Sequence, residues 1–365
     1  MNTSKDKNIV LVGGGHTHAL VLHAFKAEPL QDAHVTVINP GKTAPYSGML
    51  PGFVAGHYTR EDLDIGLAKL SSDVGATLVD DRAIGMDQTR RKVLLESGET
   101  LDFDIASVDV GITSRMDALP GFAEHGVPAK PLAAFSSHWD AFRRSAGTKN
   151  VVILGGGIAG AELAMAMAHA LRNNPATVSV KLLDRSKILS SNSKTAQQRI
   201  RRELSKNSVE IIEGADVVEL TATNVALADG TRLPANFVVG AAGATPHEWI
   251  KNTGLKLVNG FLEVDETLQT SVSGIFAVGD CAHMSFDPRP KAGVFAVRQA
   301  PVLTSNLRRA LSGGQLLSYT PQSDYLKLVS LGGKRAFGEK NGWALSGRLM
   351  WWLKNKIDRD FMNQF

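Results

Sequence analysis

One cysteine, Cys281, stands in 365 residues. A lone thiol can form neither an internal disulfide, nor a Cys-x-x-Cys redox pair, nor a cysteine-built zinc site, so these chemistries are excluded and a reducing, cytoplasmic setting is expected. Aromatic residues are scarce at 6% and prolines number 14, whereas glycine reaches 35, which suits a folded α/β protein with many tight turns and excludes a disordered or collagen-like chain. No run of about 18 apolar residues occurs and no apolar stretch precedes the first strand-like segment, so neither a spanning helix nor a signal peptide is expected. Charge of one sign is lacking as well. Basic residues number 40 and acidic ones 36, and the excess of +4 falls within 334–365, where seven basic residues face three acidic ones. This balance excludes a broad nucleic-acid surface and leaves a basic tail suited to an anionic membrane or partner. At roughly 150 residues per domain, the length predicts about two to three domains.

What the chain has in quantity is glycine placed after short apolar runs. Asn8 to Val12 leads into Gly13-Gly14-Gly15-His16-Thr17-His18 and then ALVLHAF at helical spacing. This predicts strand, tight turn and helix, with Gly13 supplying the turn, Gly15 the close approach to a pyrophosphate, and the helix N-terminus the charge complement. His18 stands where a third Gly or Ala would let helix and strand pack closely, and it places His16 and His18 beside the expected phosphates. No Cys or carboxylate lies near enough in sequence to complete a metal site on this pair, and no metal is expected. A second copy runs from Asn150 to Leu154 into Gly155-Gly156-Gly157-Ile158-Ala159-Gly160-Ala161-Glu162 and a helix to about Leu171, with all three glycine positions met. The strand that follows, Val178 to Leu183, ends at Asp184, the acid that would hold a ribose 2′-OH and favour NADH; Arg185 beside it could instead accept a 2′-phosphate. In the first copy the matching strand, His34 to Ile38, ends in Asn39, which can bond ribose without charge assistance. Two fingerprints 142 residues apart point to two Rossmann-like domains and two dinucleotides, FAD and NAD(P)H.

Further along, Thr270 to Ala282 carries Gly274-Ile275-Phe276-Ala277-Val278-Gly279-Asp280-Cys281, Val238 to Pro246 reads VVGAAGATP around Gly243, and Asp109-Val110-Gly111 follows an apolar strand. With the two glycine turns, these segments resemble the FAD-dependent pyridine nucleotide-disulfide oxidoreductase superfamily over about residues 8–310. Ala44 to Pro51, Pro290 to Gln299 and Trp351 to Phe365 resemble its type II NADH:quinone oxidoreductase-like subgroup, found fused to or beside selenide, water dikinase. The resemblance implies an α/β, glutathione-reductase-like architecture: an FAD domain of 1–113 and 245–312, an NAD(P)H domain of 114–244, and a C-terminal hairpin with an amphipathic helix over 313–365. It implies that Asp280 accepts from the ribityl chain, that Gly111 and Gly279 sit at the crossings, that Lys42, Pro45, Tyr46, Met49 and Ala83 contact FAD, and that Glu162 fixes the nicotinamide end. An acid in the first turn of a helix is the plainer role for Glu162. Disulfide reductases and sulfide:quinone reductases work through several sulfurs, so Cys281 alone argues against both. It reads as a small side chain packed beneath the flavin, although a helix start would lower its pKa.

Hydride transfer between two cofactors asks the protein for orientation and electrostatics. Lys291 and the helix start at Ala292-Gly293-Val294 would stabilise negative charge near flavin N1 and O2 by ammonium and backbone N–H groups. The expected activity is NADH oxidation coupled to a quinone. A soluble reductase with a protein, selenium or sulfur acceptor stands beside it, since of the glutamines that quinone reductases carry on this helix only Gln299 remains. A flavin-bearing redox sensor is the third reading. Leu345, Leu349, Trp352, Leu353, Ile357, Phe361 and Phe365 recur near helical spacing with Arg348, Lys354, Lys356 and Arg359 between them, which predicts a basic amphipathic helix. Such a helix lies on the inner face of a membrane, or it packs on the chain's own domains or on a second copy in a homodimer. Tyr325 to Leu331 and Lys334 to Phe337 predict a hairpin around Gly332-Gly333, and Arg199 to Lys206 a solvated helix.

Overall fold

The structure, a computed structural model, describes residues 6–114 and 116–365. Strand β1 (Lys7–Val12) feeds α1 (His16–Ala27), and β2 (Ala33–Ile38), β3 (Thr77–Val79) and β4 (Ile105–Val108) follow. The chain then builds a second sheet from β5 (Gly126–Pro128), β6 (Lys149–Leu154), β7 (Val178–Asp184), β8 (Val209–Glu213) and β9 (Phe237–Gly240). Within it lie α2 (Leu132–Arg144), α3 (Ile158–Leu171) and α4 (Lys194–Lys206). β10 (Ile275–Ala277) returns to the first sheet, which a long helix, α5 (Gly293–Ser312), then covers.

Both sheets are parallel and share one topology. The first has the order β10-β4-β1-β2-β3 and the second β5-β9-β6-β7-β8. Strand order reverses between β1 and β4 in one and between β6 and β9 in the other, so each sheet opens a crevice at its strands' carboxyl ends. The near-continuous apolar runs NIVLV and NVVIL are what strands covered on both faces require, and Ile9 to Val12 and Val151 to Leu154 are buried throughout. Ser193 caps α4 by accepting from the Ala196 amide at 3.1 Å, and its basic residues Arg199 and Arg202 lie toward solvent while Ile200 and Leu204 are buried.

The C-terminal part differs in detail from the sequence expectation. β11 (Lys327–Ser330), β12 (Ala336–Lys340) and a third strand, β13 (Trp343–Gly347), form an antiparallel meander, and α6 (Arg348–Met362) starts only after Gly347 at φ 138°. Leu345 thus lies on a strand, and the alternation Trp343, Leu345 belongs to β13 rather than to a helix. The apolar stripe also splits. Phe361 is buried, whereas Leu349, Trp352 and Ile357 face outward at 70%, 57% and 43% exposure. The inner face of α6 is instead completed by Lys354 and Asp358, a spacing of four that puts them one turn apart on one side.

Candidate functional site

In the first crevice, the glycine turn meets the end of β4. A Cβ on Gly13 would lie 2.4 Å from the Asp109 carbonyl oxygen, and Gly13 adopts φ 95°, so only glycine fits there. The Gly14 amide donates to Asn39 Oδ1 at 3.0 Å, which fixes the end of β2 against the turn. Around this junction runs a cavity of 410 Å³ lined by Gly13, Gly15, His16, Asn39, Pro45, Ala83, Gly111, Asp280 and Gly293 among others. Nine of the FAD residues expected from the sequence are thus brought to one space. The rest stand behind it: Thr17 and His18 inside α1, Met49 buried, Gly279 with its amide on Gln299 Oε1 at 2.8 Å, Ala292 and Val294 half-buried, and Lys42 exposed.

His18 solves the missing third glycine by hydrogen bonding. Its Nδ1 lies 2.7 Å from the Gly13 carbonyl and its Nε2 2.8 Å from Ser107 Oγ, and burial lowers its pKa to about 4, so the ring is neutral. His16 diverges from it toward the cavity, packs 5.1 Å from the Tyr46 ring, and is likewise lowered to about 4, chiefly by burial. Lys291 is placed behind the wall: its ammonium bonds the Ala282 carbonyl and sits 4.1 Å over the Phe261 ring, and burial lowers its pKa. Cys281 is buried in a short 3₁₀ segment, with Sγ 3.2 Å from the Val278 carbonyl, and burial, with the Asp109 charge adding, pushes its thiol up to about 12 rather than down.

Of two further residues at this cavity, Lys130 was not singled out in the sequence and Asp109 figured there only as the start of the Asp109-Val110-Gly111 crossing. Lys130, just before α2, lines it and donates to Asp280 Oδ2 at 2.9 Å. Asp109 accepts from the Thr17 and His18 amides at 2.9 and 3.3 Å, so the chain's own carboxylate occupies part of the α1 N-terminus. Burial raises Asp109 to about 7, against the downward pull of those amides and with the Asp280 charge adding to the rise.

The second crevice repeats the plan. A Cβ on Gly155 would come within 2.6 Å of Ala242 N, and one on Gly160 within 1.9 Å of the Gly155 carbonyl oxygen. The Gly156 amide donates to Asp184 Oδ2 at 2.7 Å. A cavity of 660 Å³ is lined by Gly155, Asp184, Arg185 and Gly243 together with Leu119, Pro120, Val217 and Val218. Burial works to raise the Asp184 carboxyl, but the Ser186 and Gly156 amides outweigh it and hold the group below its ordinary range. At the head of α3, Gly157 and Ala159 are exposed, Ile158 is half-buried and Gly160 buried. Cβ atoms on Gly111 and Gly243 would meet nothing within 4 Å. Each crevice therefore has bare backbone beside open space, and the donor sets fit one dinucleotide apiece.

Glu162 does not line the second cavity. Its Oε1 accepts from the Ser330 amide at 2.6 Å, tying α3 to β11, and burial raises it to about 7 against the opposing Lys354 charge. The same junction holds α6. Lys354 Nζ donates to Asp358 Oδ2 at 2.6 Å and to the Gly48 carbonyl at 2.7 Å, Tyr46 OH donates to Asp358 Oδ1 at 3.3 Å, and Phe361 stacks on Tyr46 at 4.5 Å. The C-terminal helix thus packs behind the wall, with Phe361 5.9 Å from the His16 ring, and contributes no residue to the cavity lining itself.

The family described as pyridine nucleotide-disulphide oxidoreductase matches residues 7–300. The chain belongs to this family. Its members are FAD-containing, NAD(P)H-dependent oxidoreductases, which is what two dinucleotide crevices on one chain require. The NADH dehydrogenase-like protein YutJ of Bacillus subtilis is 24% identical over 375 residues, covering 96% of this chain and 97% of that one. Putidaredoxin reductase CamA of Pseudomonas putida is 27% identical over 296 residues, 75% of this chain and 67% of its own. Among solved structures, the sulfide:quinone oxidoreductase of Aquifex aeolicus superposes with a TM-score of 0.79 at 15% identity, covering 98% of this chain and 92% of the other. No helix among the described residues of this pyridine nucleotide-disulphide oxidoreductase is long and apolar enough to cross a membrane.

Proposed function

We propose that this flavoprotein oxidises NADH and passes the electrons to a quinone at a membrane surface, in the manner of the type II NADH:quinone oxidoreductase-like subgroup. The observation that carries the quinone reading is the outer face at the C-terminus. Trp343 and Leu345 on β13 and Leu349, Trp352 and Ile357 on α6 are 81%, 61%, 70%, 57% and 43% exposed, with Arg348 and Lys356 also on α6. An apolar face with tryptophans and basic residues suits the headgroup depth of an anionic bilayer, on the cytoplasmic side. The inner face of α6 packs on Tyr46 and His16 behind the first cavity, so a surface-bound helix would hold that cavity close to an apolar acceptor in the bilayer.

FAD belongs to 1–113 and 245–312, NADH to 114–244, and the surface face to 313–365; residues 1–5 and Arg115 lie outside the described residues. Bound FAD supplies the two-electron chemistry between NADH and acceptor. The chain's part is placement. Gly13, Gly15 and Gly111 let backbone approach the FAD pyrophosphate, Asn39 takes the adenosine ribose, and Asp280, held by Lys130, accepts from the ribityl hydroxyls. Gly155, Gly157 and Gly243 do the same for the nicotinamide nucleotide, whose ribose Asp184 holds. Lys291 contributes a fixed positive charge through the wall. Glu162 supports the nicotinamide end by holding α3 and β11 together, and neutral His16 adds no charge of its own to a wall that already carries the Lys130–Asp280 pair.

Anaerobic mixing of the purified protein with NADH, then with a short-chain quinone, tests this. Loss of the visible flavin band and its recovery on quinone addition are expected; loss without recovery overturns the quinone acceptor, and no loss despite bound flavin overturns the reductase reading. Flotation with anionic liposomes should carry the intact protein, and a Trp343→Ser, Leu349→Ser, Trp352→Ser variant that floats equally well removes the membrane argument.

A further inference from the structure

The second cavity has a charged feature that the glycine fingerprint does not include. Arg185 lines the cavity directly after Asp184, the position from which an arginine can accept the 2′-phosphate of NADPH. It is already engaged: Nε lies 3.2 Å from Asp216 Oδ1. Asp216 stands between Ala215 and Val217, both of which line the same cavity, and its carbonyl accepts from the Ala228 amide at 2.9 Å, which fixes its loop. The nearby Arg201 is committed to Glu213. The one guanidinium lining this cavity among the described residues is therefore paired with Asp216, while Asp184 adds a second carboxylate to the lining, the wrong balance for a phosphate dianion.

We propose that Asp216 is a second specificity residue of the nicotinamide-nucleotide site: by holding Arg185 and adding its own charge, it excludes the 2′-phosphate and so selects NADH. The inference rests on reading the second cavity as the NAD(P)H site. Both side chains of the pair are largely exposed, 82% and 55%, so the pair contributes little to the fold. What it changes is which nucleotide the exposed guanidinium can serve. Asp216 is a positioning residue in this scheme, acting through Arg185.

The test is binding to the FAD-loaded protein, measured by calorimetry with 2′,5′-ADP and 5′-AMP as probes, and then with NADP⁺ and NAD⁺. Asp216→Asn should tighten 2′,5′-ADP relative to 5′-AMP by about tenfold at low salt, the order of one charge contact at a protein surface, and the gain should shrink as salt is raised. Removing Arg185 as well, in Arg185→Ala/Asp216→Asn, should abolish most of that gain. An unchanged ratio in Asp216→Asn overturns the proposal, and so does a gain that persists in full without Arg185. Asp184→Ala separates this from the underlying reading. If Asp184→Ala leaves 5′-AMP binding untouched, the cavity is not the nucleotide site; if it weakens 5′-AMP while Asp216→Asn changes nothing, only the role of Asp216 falls.

Discussion

Position for position, Gly160 in the second crevice and His18 in the first meet the same carbonyl, that of the first glycine of the turn. In the second crevice no Cβ fits, since one on Gly160 would lie 1.9 Å from the Gly155 oxygen. In the first, His18 reaches the Gly13 oxygen with its ring at 2.7 Å. The pairing continues at Asn39 and Asp184, which both accept from the middle glycine's amide, and at Asp109 and Ala241, which both follow the crossing strand. Asp109 uses two amides of α1 where Ala241 has no side chain to offer. One scaffold thus grips its anionic ligand by bare backbone in one place, and in the other tolerates a polar, partly self-satisfied lining. The difference teaches that a fingerprint records what the backbone needs, and that a hydrogen bond can stand in for a missing atom.

The largest effect should come from breaking the rule where it is strict. Gly160→Val is expected to cost about 3 kcal/mol and to abolish NADH binding while flavin is retained, because the clash is with backbone; thermal melting and nucleotide titration check both. Imposing a smaller residue on the first crevice sharpens the contrast. His18→Ala should cost about 2 kcal/mol by leaving Gly13 O and Ser107 unpaired, read as a lower denaturation midpoint. Next, Asp184→Ala should weaken NADH by about tenfold more than NADPH, whereas Asn39→Ala should weaken FAD by only a fewfold, since a charged acceptor bonds about twice as strongly as a neutral one; dissociation constants decide. A pH-dependent effect concerns Asp109. Its folded pKa of about 7 lies above the ordinary carboxyl value, so folding takes up a proton, and its contribution is favourable at low pH and is lost as pH rises from about 4 to 7. Asp109→Asn should flatten stability across that window by up to about 1.4 kcal/mol per pH unit, measured by denaturant titration at each pH.

Both parallel sheets and their glycine turns were legible because backbone constraints leave local marks: an apolar run, a glycine, a helix. The side chains gathered around the two cavities were not. Lys130 and Asp280 are 150 residues apart, and Asp216 carries no signal that would link it to Arg185. Lys291 and Glu162 sit in the expected segments, yet their polar ends bond Ala282 and Ser330 behind the cavities. The C-terminal stripe shows the same limit from another side. Periodicity marked a helix, but Leu345 belongs to β13, and the two polar residues Lys354 and Asp358 occupy the buried face because each satisfies the other.

That ion pair has a bearing on how the protein is made. Tyr46 and Asp358 are 312 residues apart and meet in a single hydrogen bond, so the packing behind the His16 and Tyr46 rings is completed only once α6 has left the ribosome. A nascent or protease-clipped chain ending in the turn at 341–342 would keep both glycine turns and leave Tyr46 and the Gly48 carbonyl without the partners that α6 brings.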